Sequence, residues 1–218
     1  MHTLLADALL AQQHRRATDH YERALAVLRQ HWHPAPEHDG QHWLATLQPY
    51  AEVLQATRPA YLHTLAAEGL RYLQPQLQTQ PANRDVLAAA AGLTLLAAQS
   101  AAPASRPAWH TQARGLLQRL RVAAGPEFRG ALSYYPFAAQ LAGLQAQQAR
   151  TTSLATYQRY QAQAAAYRDS VKEQRVQARV SLGLARTWTG LRDFPAAVWE
   201  LRHLLPILEA TRDRYSLY

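Results

Sequence analysis

The 218-residue chain contains no cysteine, which excludes disulfide bonds, thiolate metal sites and cysteine nucleophiles. Small secreted folds usually need disulfides, so their absence favours a cytoplasmic protein. The longest apolar run, residues 86–98, is too short to cross a bilayer as a helix. The N-terminal apolar run carries Asp7 and has no basic region before it, unlike a signal peptide. We therefore expect a cytoplasmic protein without a membrane segment.

Valine and isoleucine, which favour strands, are also scarce, since the chain has eight valines and one isoleucine. Ala, Leu, Gln and Arg dominate instead, and unbranched side chains lose little rotamer freedom in a helix. Hydrophobic residues make up 48% of the chain, as in globular proteins. The composition therefore predicts an all-α globular fold.

Proline, glycine and capping residues divide the chain into helix-length segments. Asp39 and Asn83 are predicted N-caps, and Pro59 suits the first turn of a helix. Ser170 and Glu173 have the spacing of a capping box. About nine helices are predicted, over residues 4–32, 41–56, 59–79, 84–100, 107–123, 127–149, 152–168, 171–189 and 194–212.

Small and aromatic residues are regularly spaced in the segment GLARTWTGLRDFPAAVWELRHLLP, residues 183–206. The pattern resembles a tetratricopeptide repeat (TPR), in which small residues let two helices of a hairpin approach closely and an aromatic side chain fills the groove. The residues that carry it are Leu184, Ala185, Trp188, Asp193, Phe194, Ala197, Leu201 and Leu204. Upstream, the same pattern assigns small packing positions to Ala51, Gly92, Gly143, Ala155 and Ala162.

The resemblance is clearest over residues 140–209, and its period of about 40 residues exceeds the usual 34. It is similar to longer-helix relatives found in sensor regions of bacterial regulators. It implies a right-handed α-solenoid of antiparallel hairpins, forming a single domain over residues 1–218. Within that domain, residues 84–218 would hold the recognisable repeats and residues 1–83 divergent helices. An ordinary helical bundle with Ala-rich packing is the alternative.

Positive charge is concentrated in the second half of the chain. Residues 1–109 contain eight basic and eight acidic residues, whereas residues 110–218 contain 15 basic and seven acidic residues. The whole formal net charge of +8 therefore lies in the second half. This asymmetry favours an acidic partner for that half.

A basic stripe is predicted on the helix that follows residue 170. Lys172, Arg175, Arg179 and Arg186 recur at spacings that place them on one side of a helix, and Arg168 would extend the stripe if the preceding helix ran through Asp169. Arginine can bind a carboxylate or phosphate through two parallel hydrogen bonds, and nearby tyrosines add contact area. A solvated helix face is the alternative. The predicted partner-binding set is Tyr157, Arg159, Tyr160, Lys172, Arg175, Arg179 and Arg186.

These features predict a non-enzymatic scaffold or sensor module that binds an acidic protein or peptide segment in a basic groove of its C-terminal half. Nucleic acid is the alternative partner, because arginines interleaved with aromatic residues are typical of its binding proteins. The sequence has no glycine-rich phosphate loop and no nucleophile elbow. We therefore expect no catalytic residues and no cofactor.

Four histidines occur within residues 31–42, in the stretch HWHPAPEHDGQH. Imidazole binds zinc, copper and nickel, so His31, His33, His38 and His42 are candidate metal ligands. Their spacing, however, matches no helical metal motif, and Pro34 and Pro36 stiffen the segment. We expect a solvated connector without a metal, anchored to the core by Trp32 and Trp43.

Overall fold

The computed structural model describes residues 17–32, 39–125, 131–171 and 173–215, and it contains no strand within them. The all-α prediction is confirmed for this part of the chain. Its helices, in chain order, are α1 Ala17–Gln30, α2 Asp39–Thr57, α3 Pro59–Thr79, α4 Arg84–Ser100, α5 Arg106–Ala124, α6 Ala131–Ala149, α7 Leu154–Asp169, α8 Gln174–Gly190 and α9 Phe194–Tyr215.

Most helix ends lie where local chemistry predicts them. Asn83 is the N-cap of α4, and its side chain accepts hydrogen bonds from the backbone N–H groups of Asp85 and Val86. Pro59 occupies the first turn of α3, where its missing N–H leaves no helical hydrogen bond unmade. Helix α2 begins at Asp39, whose side chain is not among the described ones.

The predicted capping box at Ser170 and Glu173 is wrong. Ser170 instead ends α7, and its hydroxyl donates to the carbonyl of Ala166 at 2.8 Å. Glu173 is the N-cap of α8 but makes no capping hydrogen bond with its side chain. Since α8 begins only at Gln174, Ser170 lies three residues before the N-cap position and belongs to the end of the preceding helix.

The helix contacts group the chain into two compact units, residues 1–123 and residues 124–218. In the first unit, α2 packs against α1, α3 and α4, and α3 packs against α4. Gly69 permits this packing, since a Cβ atom there would lie 2.6 Å from Trp43 and 2.9 Å from Leu93. The single repeat domain over residues 1–218 and its right-handed solenoid path stay predictions.

Trp32, which follows α1, and Trp43, in the first turns of α2, belong to one aromatic cluster. Trp43 is fully buried, and its indole N–H donates to the carbonyl of Leu65 at 3.2 Å. Trp32 packs edge-on against Trp43 and stacks on Tyr72, with ring centroids 6.1 and 5.0 Å apart. The predicted anchoring by the two tryptophans is confirmed.

In the second unit, α6, α7, α8 and α9 form the interior. Helix α8 contacts α6, α7 and α9, and α6 also contacts α7. Gly143 of α6 faces α8, and a Cβ atom on it would lie 3.4 Å from the side chain of Leu184. Several positions of the repeat-like segment are buried here, namely Leu184, Ala185, Trp188, Ala197 and Leu204.

Three other positions of the pattern are not in the interior, so their predicted packing role is wrong. Ala155 and Ala162 are exposed on α7, because that helix turns the face with Tyr157, Ala164 and Arg168 inward. On α9, Leu201 is also exposed. No helix among the described residues has both the length and the apolar character needed to cross a lipid bilayer.

Candidate binding surface

The core of the predicted basic stripe lies on the surface of α8. Arg179 and Arg186 are both exposed, and the partly exposed Leu182 lies between them at helical spacing. Gly183 adjoins them, and the space beside its α-carbon is open. Lys172 lies outside the described residues, as does the side chain of Arg175. The described stripe is therefore two arginines around an apolar centre.

The tyrosines and arginine predicted to flank the stripe have different environments. Tyr157 is buried and packs edge-on against Trp188, so its ring belongs to the interior of the unit and is not offered to a partner. Arg159 is exposed and lies over the ring of the half-buried Tyr160, with its guanidinium carbon 5.2 Å from the ring centroid. Arg159 and Tyr160 therefore form a cation–π pair at the surface of α7.

Arg168 does not extend the stripe, because its side chain is fully buried. Its guanidinium donates to the carboxylate of Glu200 at 2.5 Å and to that of Asp169 at 2.7 and 2.9 Å. The guanidinium carbon also lies 4.3 Å from the ring centroid of Trp199. Although α7 runs through Asp169 as the stripe requires, residue 168 falls on its inner face.

The carboxylate of Glu200 is 2% exposed and lies in the same interior. Burial raises the pKa of Glu200 above its usual value, although the hydrogen bond and charge of Arg168 act in the opposite direction. A charged group is costly to bury unless it is paired and hydrogen-bonded. Arg168 and Glu200 therefore act as a structural link between α7 and α9.

Asp193 is a second carboxylate engaged within the unit. It accepts hydrogen bonds from the backbone N–H of Ala196, from the amide of Gln161 at 3.2 Å and from the hydroxyl of Tyr157. Burial acts to raise the pKa of Asp193, but these hydrogen bonds outweigh it and lower that pKa. Burial and the bond to Asp193 raise the pKa of Tyr157 to about 12. Asp193 thus caps α9 and ties it to α7.

The described surface of the second unit keeps the basic excess of its composition. Residues 124–218 contain 12 basic and seven acidic residues. Glu200 is buried and Asp193 is hydrogen-bonded within the unit, whereas Asp169 pairs with Arg168 but keeps 58% of its side chain exposed. Among the described residues of this unit, six arginines and three acidic residues are exposed.

An apolar stripe on α9 was not predicted as a surface feature. Its four residues recur at intervals of four, three and four, and they are exposed by 58, 46, 41 and 56%. The spacing is visible in the sequence, but the repeat resemblance assigned one of these residues to the interior. The members of this apolar stripe are Phe194, Val198, Leu201 and Leu205.

Two of the four candidate metal ligands lie in the described part of the chain. His31 and His42 are both exposed, and His33 and His38 lie outside that part. Among the described residues, no group of three or more histidines, aspartates or glutamates lies close enough to hold a metal ion.

No protein-family model, curated protein or solved structure matches this chain. The function is therefore argued from the two surfaces of the second unit, the basic stripe on α8 and the apolar stripe on α9.

Proposed function

We propose that the chain is a non-enzymatic binding module whose C-terminal unit recognises an acidic segment of a protein or peptide. The observation that carries this proposal is the division of charge in that unit. Asp193 and Glu200 are bonded internally, and Arg179 and Arg186 are exposed on one side of α8. A surface with an excess of one sign attracts a partner of the opposite sign and orients it during approach.

The chemistry of α8 supports a carboxylate-bearing ligand. A guanidinium can donate two parallel hydrogen bonds to one carboxylate, which gives direction as well as attraction. Leu182, between the two arginines, offers an apolar contact that a peptide side chain could cover. Packing of α8 against α6, α7 and α9 holds these side chains on a rigid support, so a ligand need not order the helix.

The test uses the double variant Arg179→Glu, Arg186→Glu and a fluorescein-labelled peptide of alternating glutamate and glycine. We expect the variant to bind this peptide about tenfold or more weakly than the unmodified chain does, because two attractions become repulsions. Fluorescence anisotropy at low salt measures both affinities. The matched control is Arg114→Glu, Arg121→Glu, which changes the same charge on exposed positions of α5. Unchanged affinity in the α8 variant, with an unchanged helical circular-dichroism spectrum, would contradict the proposal.

Nucleic acid is the alternative partner, and the exposed arginines with the Arg159–Tyr160 pair are the observation that favours it. Phosphate contacts release counterions, so binding to generic DNA or RNA would weaken steeply with added salt. A gel-shift series on a random duplex and a random single strand separates the two partners. Binding stronger than that of the acidic peptide at the same salt would favour nucleic acid.

A further inference from the structure

The apolar stripe on α9 has the geometry of a helix-docking surface. Its intervals of four, three and four keep its residues on one side of the helix over about three turns. The same alternation of three and four produces the seam of paired helices, where side chains of one helix fit between those of the other. A second helix laid along α9 would therefore find regularly spaced contacts.

The stripe is unusual for an exposed surface. Single exposed apolar residues are common, but a continuous row of them usually marks an interaction site. Trp199, on another side of the same helix, is 43% exposed, and its ring is held against Arg168 and His203. A partly exposed tryptophan on a fixed support is typical of the residues that contribute most to binding energy.

Charge indicates which helix would fit. Arg202 is exposed and adjoins Leu201, one turn after Val198, and the unit around it carries an excess of arginine. A second copy of the chain would bring the same basic surface against itself, and like charges oppose association. Among the described residues of α9, Glu209 is an exposed acid, and it lies one turn beyond Leu205 at the end of the stripe. The complementary occupant is a helix with an apolar seam and acidic flanks.

We infer that the apolar stripe of α9 docks an amphipathic helix of a partner protein, with glutamates or aspartates flanking the apolar seam of that helix. The inference rests on the proposed function, because it concerns the same acidic partner. It specifies that the bound segment is helical and that one side of this helix is apolar. In this arrangement the stripe contributes burial of apolar surface, and the exposed arginines contribute orientation and rate of approach.

The test uses a labelled 22-residue designed helix with leucines along one seam and glutamates beside them. A second peptide has glutamine at every seam position and the same charge. The α9 variant is Leu201→Gln, Leu205→Gln, and its matched control is Leu154→Gln, which alters an isolated leucine that is 70% exposed on α7. All of these leucines are substantially exposed, so circular dichroism should report the same helix content for each variant.

We expect the leucine-seam peptide to bind the unmodified chain at least about tenfold more tightly than the glutamine-seam peptide. The α9 variant should lose about tenfold or more of this affinity, and the control less than about twofold. Equal affinity for both peptides, no binding of the leucine-seam peptide, or no loss in the α9 variant would overturn the inference.

The outcomes also separate this inference from the proposed function. Sensitivity to Arg179→Glu, Arg186→Glu without sensitivity to the α9 variant would leave acidic recognition standing and remove helix docking. The reverse result would remove acidic recognition by α8 and keep docking on α9. Sedimentation velocity of the chain alone tests a second copy as the occupant, and a dimer that the α9 variant dissociates would overturn the heterologous partner.

Discussion

Single residues in the second unit show how burial decides whether a charge serves structure or recognition. Arg168 and Arg179 are both arginines on helices of the same unit. Arg168 is fully buried between Glu200 and Trp199, whereas Arg179 is exposed and forms no ion pair with a described residue. Sequence spacing alone assigned both to one stripe, because Glu200 is 32 residues away from Arg168. Long-range pairs of this kind leave no local pattern.

The buried Arg168–Glu200 pair gives the first prediction of stability. Glu200→Gln leaves the Arg168 guanidinium in the interior with only Asp169 as a carboxylate partner, and we expect a loss of about 3 kcal/mol in the free energy of unfolding. The double variant Arg168→Met, Glu200→Leu removes both charges and should recover most of that loss. Urea denaturation measures both values, and a single variant as stable as the unmodified chain would contradict the structural role.

Arg192 gives a second prediction at the same scale. It has a φ of +57° in the turn between α8 and α9, a conformation that favours glycine. Its N–H donates to the carbonyl of Thr189, and that of Asp193 donates to Trp188, as in a Schellman motif. We expect Arg192→Gly to raise the free energy of unfolding by about 1 kcal/mol.

The control for Arg192→Gly is Arg202→Gly, which makes the same change inside α9. There a glycine should lower the free energy of unfolding by about 1 kcal/mol, since glycine has a low helix propensity. Thermal unfolding of the two variants should therefore shift in opposite directions. Shifts of the same sign would show that the turn conformation carries no cost for arginine.

At the scale of helices, most boundaries could be predicted because their causes are local. Proline at the start of α3 and the asparagine cap of α4 act within a few residues. The inward faces could not be predicted in the same way. Ala155 and Ala162 fit the repeat pattern, but α7 is rotated so that Tyr157 and Ala164 pack inside. The rotation depends on Trp188 and Asp193, which lie on other segments of the chain.

The apolar stripe on α9 shows the opposite case, in which the sequence holds the signal but a resemblance directs attention elsewhere. Leu201 matches a packing position of the repeat, yet it is 41% exposed. Its alternating spacing of four and three residues with Phe194, Val198 and Leu205 is what marks a surface stripe. An unpartnered face can be distinguished from a core face only when the neighbouring helices are placed.

Two glycines give a prediction for helix packing. Gly69→Ala places a Cβ atom 2.6 Å from the buried ring of Trp43, so we expect a loss of about 1–3 kcal/mol. Gly183→Ala on α8 meets open space, and alanine there should stabilise by up to about 1 kcal/mol through its helix propensity. Urea midpoints measure both changes. A Gly69→Ala protein as stable as the unmodified chain would contradict the close approach of α2 and α3.

For the whole molecule, the excess of positive charge in the second half could be read from the sequence, and it remains the main indication of an acidic partner. The structure adds the direction of those charges, since Asp193 and Glu200 of the second unit are bonded internally. It also adds an exposed apolar stripe on α9 in the same unit. The identity of the partner could not be predicted from the sequence, because a helical scaffold does not by its fold specify a ligand or a reaction.

The most direct test of acidic recognition is a charge-reversal experiment on α8 with two labelled peptides of equal length, one rich in glutamate and one rich in lysine. Anisotropy titrations would compare the unmodified chain with the Arg179→Glu, Arg186→Glu variant. We predict that the unmodified chain prefers the glutamate peptide and that the variant loses this preference by about tenfold or more, with improved binding of the lysine peptide. The same preference in both proteins would contradict recognition through these arginines.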